Sequence, residues 1–214
     1  MGKGFWVALA TVVIVMIGAV WLFGDNANAP AANVDEPHAI TAEDHTRGPE
    51  DAALTLIEYS DFQCPACGGA EPLIQQMLAE YPDDVRLVYR HFPLTQIHAQ
   101  AYDAARASEA AGRQDRFWEM HDLLFERQQN WSGDAQARTT FESYAEELGL
   151  DLEQYESDFA AVNSRVDRDT AIAQQLGVNS TPTFYLNGEA LEQNPTSIEV
   201  WREIIDSALA ETSE

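Results

Sequence analysis

The chain has 214 residues, with 36 acidic and 12 basic side chains, a formal net charge of -24 and two cysteines. This excess of negative charge argues against nucleic acid as a partner, because phosphate binding needs clustered Lys and Arg. A hydrophobic content of 45% excludes wholesale disorder. Two cysteines are too few for a disulfide-rich scaffold or for a zinc site made of cysteines alone. We therefore expect Cys64 and Cys67 to act as a pair.

The N-terminal segment from Gly4 to Gly24 has 21 residues without a charge. As a helix it would span about 31 Å, roughly the hydrocarbon core of a bilayer. Trp6 and Trp21 lie near its ends, where indole rings favour the membrane interface. We predict that residues 1–24 are a cytoplasmic stub and single transmembrane anchor, with residues 25–214 on the extracytoplasmic side (periplasmic or cell-surface). A cleaved signal peptide is the alternative and gives the same location.

The first part of the exported chain predicts a tether followed by a βαβ unit. Residues 25–49 are rich in Asn, Ala, Pro and acids, which indicates a flexible tether. Residues 54–59 form an apolar, β-branched run typical of a strand buried on both faces. An amphipathic helix begins at the cysteine pair, and Pro72 would kink it. Residues 85–89 predict a second strand, parallel to the first.

The remainder predicts a helical block followed by a return to the sheet. Residues 98–177 show helical periodicity punctuated by glycine, and no clear strand. Residues 183–186 have strand character, and Asn187-Gly188 predicts a hairpin turn that leads into a return strand. Residues 198–209 predict a last amphipathic helix. The fold class is therefore α/β, with residues 50–97 and 178–214 forming one core and residues 98–177 an inserted helical domain.

The cysteine pair carries the predicted chemistry, because it lies in the first turn of a helix. Free backbone N–H groups and the helix dipole favour a thiolate there, so we expect a lowered pKa for Cys64. The i, i+3 spacing puts both sulfurs on one side, with Cys64 as the attacking and Cys67 as the resolving thiol. A static disulfide is the first alternative, but so short a ring would stabilise little. A metal site is the second, and the five histidines show no obvious ligand-pair spacing; we predict no metal and no cofactor.

Four segments resemble the DsbA family of thiol–disulfide oxidoreductases, in that family's order: residues 58–67, 90–94, 117–125 and 177–184. The resemblance covers about residues 50–210, and membrane-tethered members of the BdbD type are similar in layout. It implies a thioredoxin-like core with an inserted helical domain. His91, His98 and His121 fall in or near these segments, and we expect packing or capping roles for them.

The resemblance also implies roles for residues outside the cysteine pair. Pro182 matches the family's cis-proline opposite the cysteines, and the backbone of Thr181 would pair with an extended substrate. Glu58 matches a buried acid beneath the site, where it would exchange protons with Cys67.

Pro65 and Ala66, between the cysteines, are expected to face the substrate. The best-known periplasmic oxidase of the family has His at the position of Ala66. Its absence here predicts a less depressed pKa for Cys64 and a less oxidising disulfide.

These features together predict a membrane-anchored dithiol oxidase. Its substrates would be reduced exported proteins, and a quinone-linked membrane partner, resembling DsbB or its vitamin K epoxide reductase-like (VKOR-like) counterpart, would reoxidise it. One alternative keeps the fold but reverses electron flow, giving a reductase or isomerase. Another is a non-enzymatic metal-binding or chaperone module.

Overall fold

A computed structural model describes residues 36–212. At its centre, strands β2 (Leu54–Ser60) and β3 (Val85–His91) lie side by side in parallel, joined by helix α1 (Pro65–Glu80). Both strands are buried along nearly their whole length, as expected for strands covered on both faces. Pro72 lies inside α1, which continues past it to Glu80. The predicted βαβ unit is therefore present.

The remaining strands extend this sheet in the order β1-β3-β2-β4-β5. Strand β1 (His45–Arg47) is antiparallel to β3, and β4 (Thr183–Leu186) is antiparallel to β2. A short β5 (Glu189–Ala190) pairs with β4 across the predicted turn, where Asn187 and Gly188 both have positive φ, 49° and 86°.

Two hydrophobic cores cover the sheet. The first lies between the sheet, α1 and the C-terminal helix α8 (Ile198–Thr212), and includes the fully buried Ile74 and Trp201. The second is contributed mainly by the insertion, where the structure places six helices: α2 (Ala101–Gly112), α3 (Phe117–Glu126), α4 (Gln128–Trp131), α5 (Ala137–Glu147), α6 (Leu152–Ala161) and α7 (Asn163–Gln175). Cys64 and Cys67 belong to this second core, so the insertion packs against the first turn of α1.

The C-terminal part of the segment predicted as a flexible tether differs from that prediction, because it belongs to the folded domain. Residues 36–49 include strand β1, and the carboxylate of Asp44 is buried between two arginines. Its Oδ1 lies 3.3 Å from Nε of Arg90 and 3.0 Å from Nη2 of Arg165. These partners lie far along the chain, so local composition gives no sign of the contact.

The predicted membrane anchor, residues 1–24, and residues 25–35 of the tether lie outside the described residues. Between residues 36 and 212, no helix is both long enough and apolar enough to cross a membrane.

Candidate active site

The cysteine pair lies where β2 ends and α1 begins. Residues 61–64 form a turn, here called the active-site turn, in which the N–H of Cys64 donates to the carbonyl of Asp61 at 3.0 Å. Cys64 is the N-cap residue of α1, with extended backbone (φ -71°, ψ 122°), and Pro65 is the first helical residue, where its missing N–H is not needed. Cys64 is 7% exposed and Cys67 1%, whereas Pro65 and Ala66 are exposed. Access to the pair is therefore through Cys64.

The two thiols, which are both free, have pKa values displaced in opposite directions. The pKa of Cys64 falls to about 5, mainly because the Cys67 thiol donates a hydrogen bond to it. The side chain of Thr181 and the backbone N–H groups of Cys67 and Ala66 also lower it, and together these outweigh the opposing effect of burial. Burial raises the pKa of Cys67 well above its usual value, and the hydrogen bond to Cys64 and the charge of Glu58 add to this. At neutral pH the accessible sulfur is a thiolate and the buried one a thiol.

Thr181, the residue before Pro182, lies against Cys64, although it is more than a hundred residues away in the sequence. The Thr181–Pro182 peptide bond is cis. The carbonyl oxygen of Thr181 is 3.5 Å from Sγ of Cys64 and accepts a hydrogen bond from the thiol when Cys64 is protonated. Both residues are buried, at the entrance to β4. The structure thus brings Thr181 to Cys64, and the pairing of Thr181 with a substrate stays a prediction.

Glu58 is fully buried in β2, between Tyr89 of β3 and Phe184 of β4 in the sheet register. Among the described residues, neither of its carboxylate oxygens has a hydrogen-bond partner. Burial, reinforced by the negative charge of Glu71, raises the pKa of Glu58 to about 8, against a smaller opposing effect of Ser60. A carboxyl group that titrates near neutral pH can both give and take a proton, which fits the role that the family resemblance implies.

Sequence reasoning missed the polar side chains that hold the active-site turn. The carboxylate of Asp61 accepts hydrogen bonds from the N–H of Leu94 at 2.9 Å and from its own neighbour, the N–H of Gln63, at 2.7 Å. It also lies 2.7 Å from Nδ1 of His98, so this histidine has a structural partner. The side-chain amide of Gln128, in α4, donates to the carbonyl oxygens of Phe62 at 2.8 Å and Cys64 at 2.9 Å.

A second missed feature is a set of three possible metal ligands on helices α1 and α3. Glu71 of α1 and His121 and Asp122 of α3 each offer a ligand atom, and these atoms lie within 4.8 Å of one another. Asp122, however, is paired with Arg47 at 2.6 Å, and Glu71 accepts from Gln75 at 2.9 Å. A guanidinium on one ligand opposes a cation, and neither cysteine belongs to the set. Because the set joins two helices about fifty residues apart in the sequence, no short-range spacing of ligand residues predicts it.

Comparisons with known proteins agree with this geometry. A family model described as thioredoxin matches residues 41–207. The crystal structure of a thioredoxin-like oxidoreductase from Silicibacter pomeroyi DSS-3 superposes with a TM-score of 0.67 at 26% identity, over 86% of this chain and 99% of that one. Alpha-DsbA1 of Wolbachia pipientis gives a TM-score of 0.74 at 17% identity, over 84% and 98%. Oxidised BdbD from Bacillus subtilis gives a TM-score of 0.68 at 22% identity, over 77% of this chain and 92% of that one.

Curated sequence relatives carry a different name. The Na(+)/H(+) antiporter NhaA 3 of Salinispora tropica is 42% identical over 169 residues, which are 78% of this chain and 25% of that protein. The chain thus spans about a quarter of the length of the curated relatives that it matches.

A thioredoxin-like sheet, a helical insertion and a Cys-Pro-Ala-Cys site near a cis-proline together have the architecture of a thioredoxin-like oxidoreductase. The chain belongs to the thioredoxin family.

Proposed function

We propose that this chain is a dithiol oxidase that introduces disulfide bonds into reduced exported proteins through a Cys64–Cys67 disulfide. The observation that carries the proposal is the opposite displacement of the two pKa values, to about 5 for Cys64 and upward for Cys67. A stabilised Cys64 thiolate stabilises the reduced dithiol, and a stabilised dithiol makes the corresponding disulfide more oxidising.

The reaction would begin when a substrate thiolate attacks Sγ of Cys64 in the enzyme disulfide. The Cys64–Cys67 bond breaks, a mixed disulfide forms at Cys64, and Cys67 leaves and takes up a proton. Glu58, which is protonated below its pKa of about 8, can supply that proton. A second substrate thiolate then attacks the substrate sulfur of the mixed disulfide, and Cys64 leaves as a thiolate. Two electrons pass to the cysteine pair, and the substrate gains one disulfide.

The equilibrium with glutathione tests the direction of electron flow. The Cys64 pKa of about 5 lies between roughly 7 for thioredoxin and roughly 3.5 for the most oxidising family member. We therefore expect a potential between about -270 and about -120 mV, in keeping with Ala66 in place of His. A potential at or below that of thioredoxin would contradict the oxidase and favour a reductase or isomerase.

A variant tests whether the thiols act at all. Cys64→Ser is expected to abolish the oxidative refolding of a reduced disulfide protein, because it removes the attacked sulfur. Refolding at the wild-type rate would mean that the chain works without thiol chemistry, as a chaperone or metal-binding module.

We also propose that residues 1–24 anchor the protein in the cell membrane and that the catalytic part is extracytoplasmic. The support is the run of 21 uncharged residues with tryptophan near each end. Mass measurement of the mature protein tests it: the full-length mass in the membrane fraction is expected, and a shortened soluble form would indicate a cleaved signal peptide.

The reoxidising partner would be a quinone-linked membrane protein of the DsbB-like or VKOR-like kind. Such a partner predicts that membranes reoxidise the reduced protein in a quinone-dependent way. Reoxidation that is unaffected by removal of the quinone would contradict this partner.

A further inference from the structure

The active-site turn is joined to the helical insertion by two side-chain amides that point in opposite directions. Gln128, in the insertion, donates from Nε2 to the carbonyl oxygens of Phe62 and Cys64, at 2.8 and 2.9 Å. Gln63, in the turn, donates from Nε2 to the carbonyl oxygen of Ser132 in the insertion. The active-site turn is therefore held in part by groups that belong to the helical insertion.

Gln128 is itself held firmly by the core of the insertion. It begins α4, and the same short helix ends at Trp131, which is fully buried. The indole N–H of Trp131 donates to the carbonyl of Leu124 at 3.0 Å, and its ring contacts Phe141 edge to face, with centroids 5.1 Å apart. The position of the Gln128 amide is thus set by the insertion and not by the sheet.

One of the two carbonyls that Gln128 contacts, that of Cys64, is the one that begins helix α1. The oxygen of Cys64 also accepts the first helical hydrogen bond, from the N–H of Gly68 at 3.1 Å. The orientation of this peptide group determines where the next N–H groups point, and those of Ala66 and Cys67 stabilise the Cys64 thiolate.

The glycine after the cysteine pair leaves room for this contact. A Cβ atom built on Gly68 would lie 2.9 Å from Oε1 and 3.1 Å from Nε2 of Gln128. A Cβ atom on the adjacent Gly69 would meet nothing within 4 Å. Glycine is used where a polar group approaches a helix backbone closely, and here that group is the amide of Gln128.

We propose that Gln128 is a positioning residue through which the helical insertion sets the reactivity of Cys64. The inference rests on thiol exchange at Cys64, but it requires no particular direction of electron flow. Removal of the Gln128 amide would let the Cys64 peptide rotate, so the N–H groups of Ala66 and Cys67 would stabilise the thiolate less well.

The test is the pH profile of iodoacetamide alkylation of Cys64 in the full-length reduced protein, with the labelled site identified by mass spectrometry. Gln128→Met keeps the side-chain length but removes both donors. We expect it to raise the midpoint by about one pH unit, a tenfold change in proton affinity and similar to the effect of a favourable helix-terminus interaction. Thermal melting of each variant measures any general loss of stability separately. Such a loss alone would lower the melting temperature but would not move the midpoint of alkylation.

Two glycine variants provide the matched comparison. Gly68→Ala adds one methyl group that must displace the Gln128 amide, and we expect a shift in the same direction. Gly69→Ala makes the same chemical change on the neighbouring residue, where there is space, and is expected to keep the wild-type midpoint. If Gln128→Met does not fold, the comparison of the Cys64 alkylation midpoints of Gly68→Ala and Gly69→Ala is sufficient to test the inference.

Wild-type midpoints in Gln128→Met and Gly68→Ala, or equal shifts in the two glycine variants, would overturn the inference. A shifted midpoint in a protein whose potential proves to be reducing would keep the inference and reject the proposed oxidase. An oxidising potential together with a midpoint that Gln128→Met does not change would support the proposed oxidase and reject the inference.

Discussion

Replacement of Glu58 by glutamine is expected to stabilise the reduced protein, and the gain should grow with pH. Glu58 is fully buried, and no described group donates a hydrogen bond to its carboxylate. Its pKa is about 8 in the folded protein, against an ordinary value of 4.5. A buried carboxyl group with a raised pKa disfavours the folded state wherever the unfolded chain would be ionised.

The sign and size of the effect follow from that difference. Below about pH 4.5 the carboxyl is protonated in both states and costs nothing. Between about pH 4.5 and about pH 8 only the unfolded chain loses its proton, so folding loses about 1.4 kcal/mol per pH unit. The loss reaches about 3 kcal/mol at neutral pH and about 5 kcal/mol above pH 8, as an order of magnitude. Stability from this site is therefore lost as pH rises.

Denaturant unfolding of the reduced protein between about pH 5 and about pH 8 measures this loss. The difference in the free energy of unfolding between Glu58→Gln and wild type should rise steadily with pH. Glu203→Gln, at an exposed position of α8, controls for the change in net charge. A difference that is the same at both ends of the range would refute the reasoning, because it would mean that the Glu58 carboxyl is not held protonated by its surroundings.

Two further predictions concern Cys67 and Asp44. Cys67→Ala should raise the midpoint of Cys64 alkylation above about 5, because it removes the hydrogen bond that lowers the Cys64 pKa most; an unchanged midpoint would assign the effect to the backbone N–H groups instead. Asp44→Asn should lower the free energy of unfolding by about 3–5 kcal/mol, because it leaves Arg90 and Arg165 without their shared buried carboxylate. Glu43→Gln, at an exposed carboxylate, should cost under about 1 kcal/mol in the same denaturant assay; equal losses would contradict the buried-pair argument.

Most of the fold could be predicted because its signals are local. The apolar runs of β2 and β3, the Asn187-Gly188 turn and the periodicity of the helices each lie within one stretch of sequence. The structure of residues 36–49, within the predicted tether, could not be found in this way. Strand β1 has three residues, and Asp44 is separated in sequence from Arg90 by 46 residues and from Arg165 by 121. Composition rich in acids and proline gives the same signal whether or not distant arginines bury one of the acids.

The candidate site divides along the same line. The cysteines and the start of α1 are adjacent in sequence, so their chemistry follows from spacing and helix position. Thr181 and Pro182 were found through the family resemblance; the structure joins them by a cis peptide bond and brings the carbonyl of Thr181 against Cys64. Gln128 has no such signal in its own neighbourhood. The one related feature of the sequence is Gly68, a glycine inside a helix. It indicates that another group approaches the helix backbone closely, but the sequence does not identify that group as Gln128.

The net charge of -24 would be expected to oppose a thiolate, yet the pKa of Cys64 is lowered. The contacts that lower it include hydrogen bonds from the Cys67 thiol, which has the largest effect, and from backbone N–H groups, and these act at close range. Burial is the main cause that raises the pKa of Cys67, and the charge of Glu58 adds to it where that carboxyl is ionised, above about pH 8. The two thiols therefore differ despite the net charge, because hydrogen-bond donors face Cys64 whereas burial dominates at Cys67. That difference makes Cys64 the sulfur that exchanges and Cys67 the sulfur that keeps its proton.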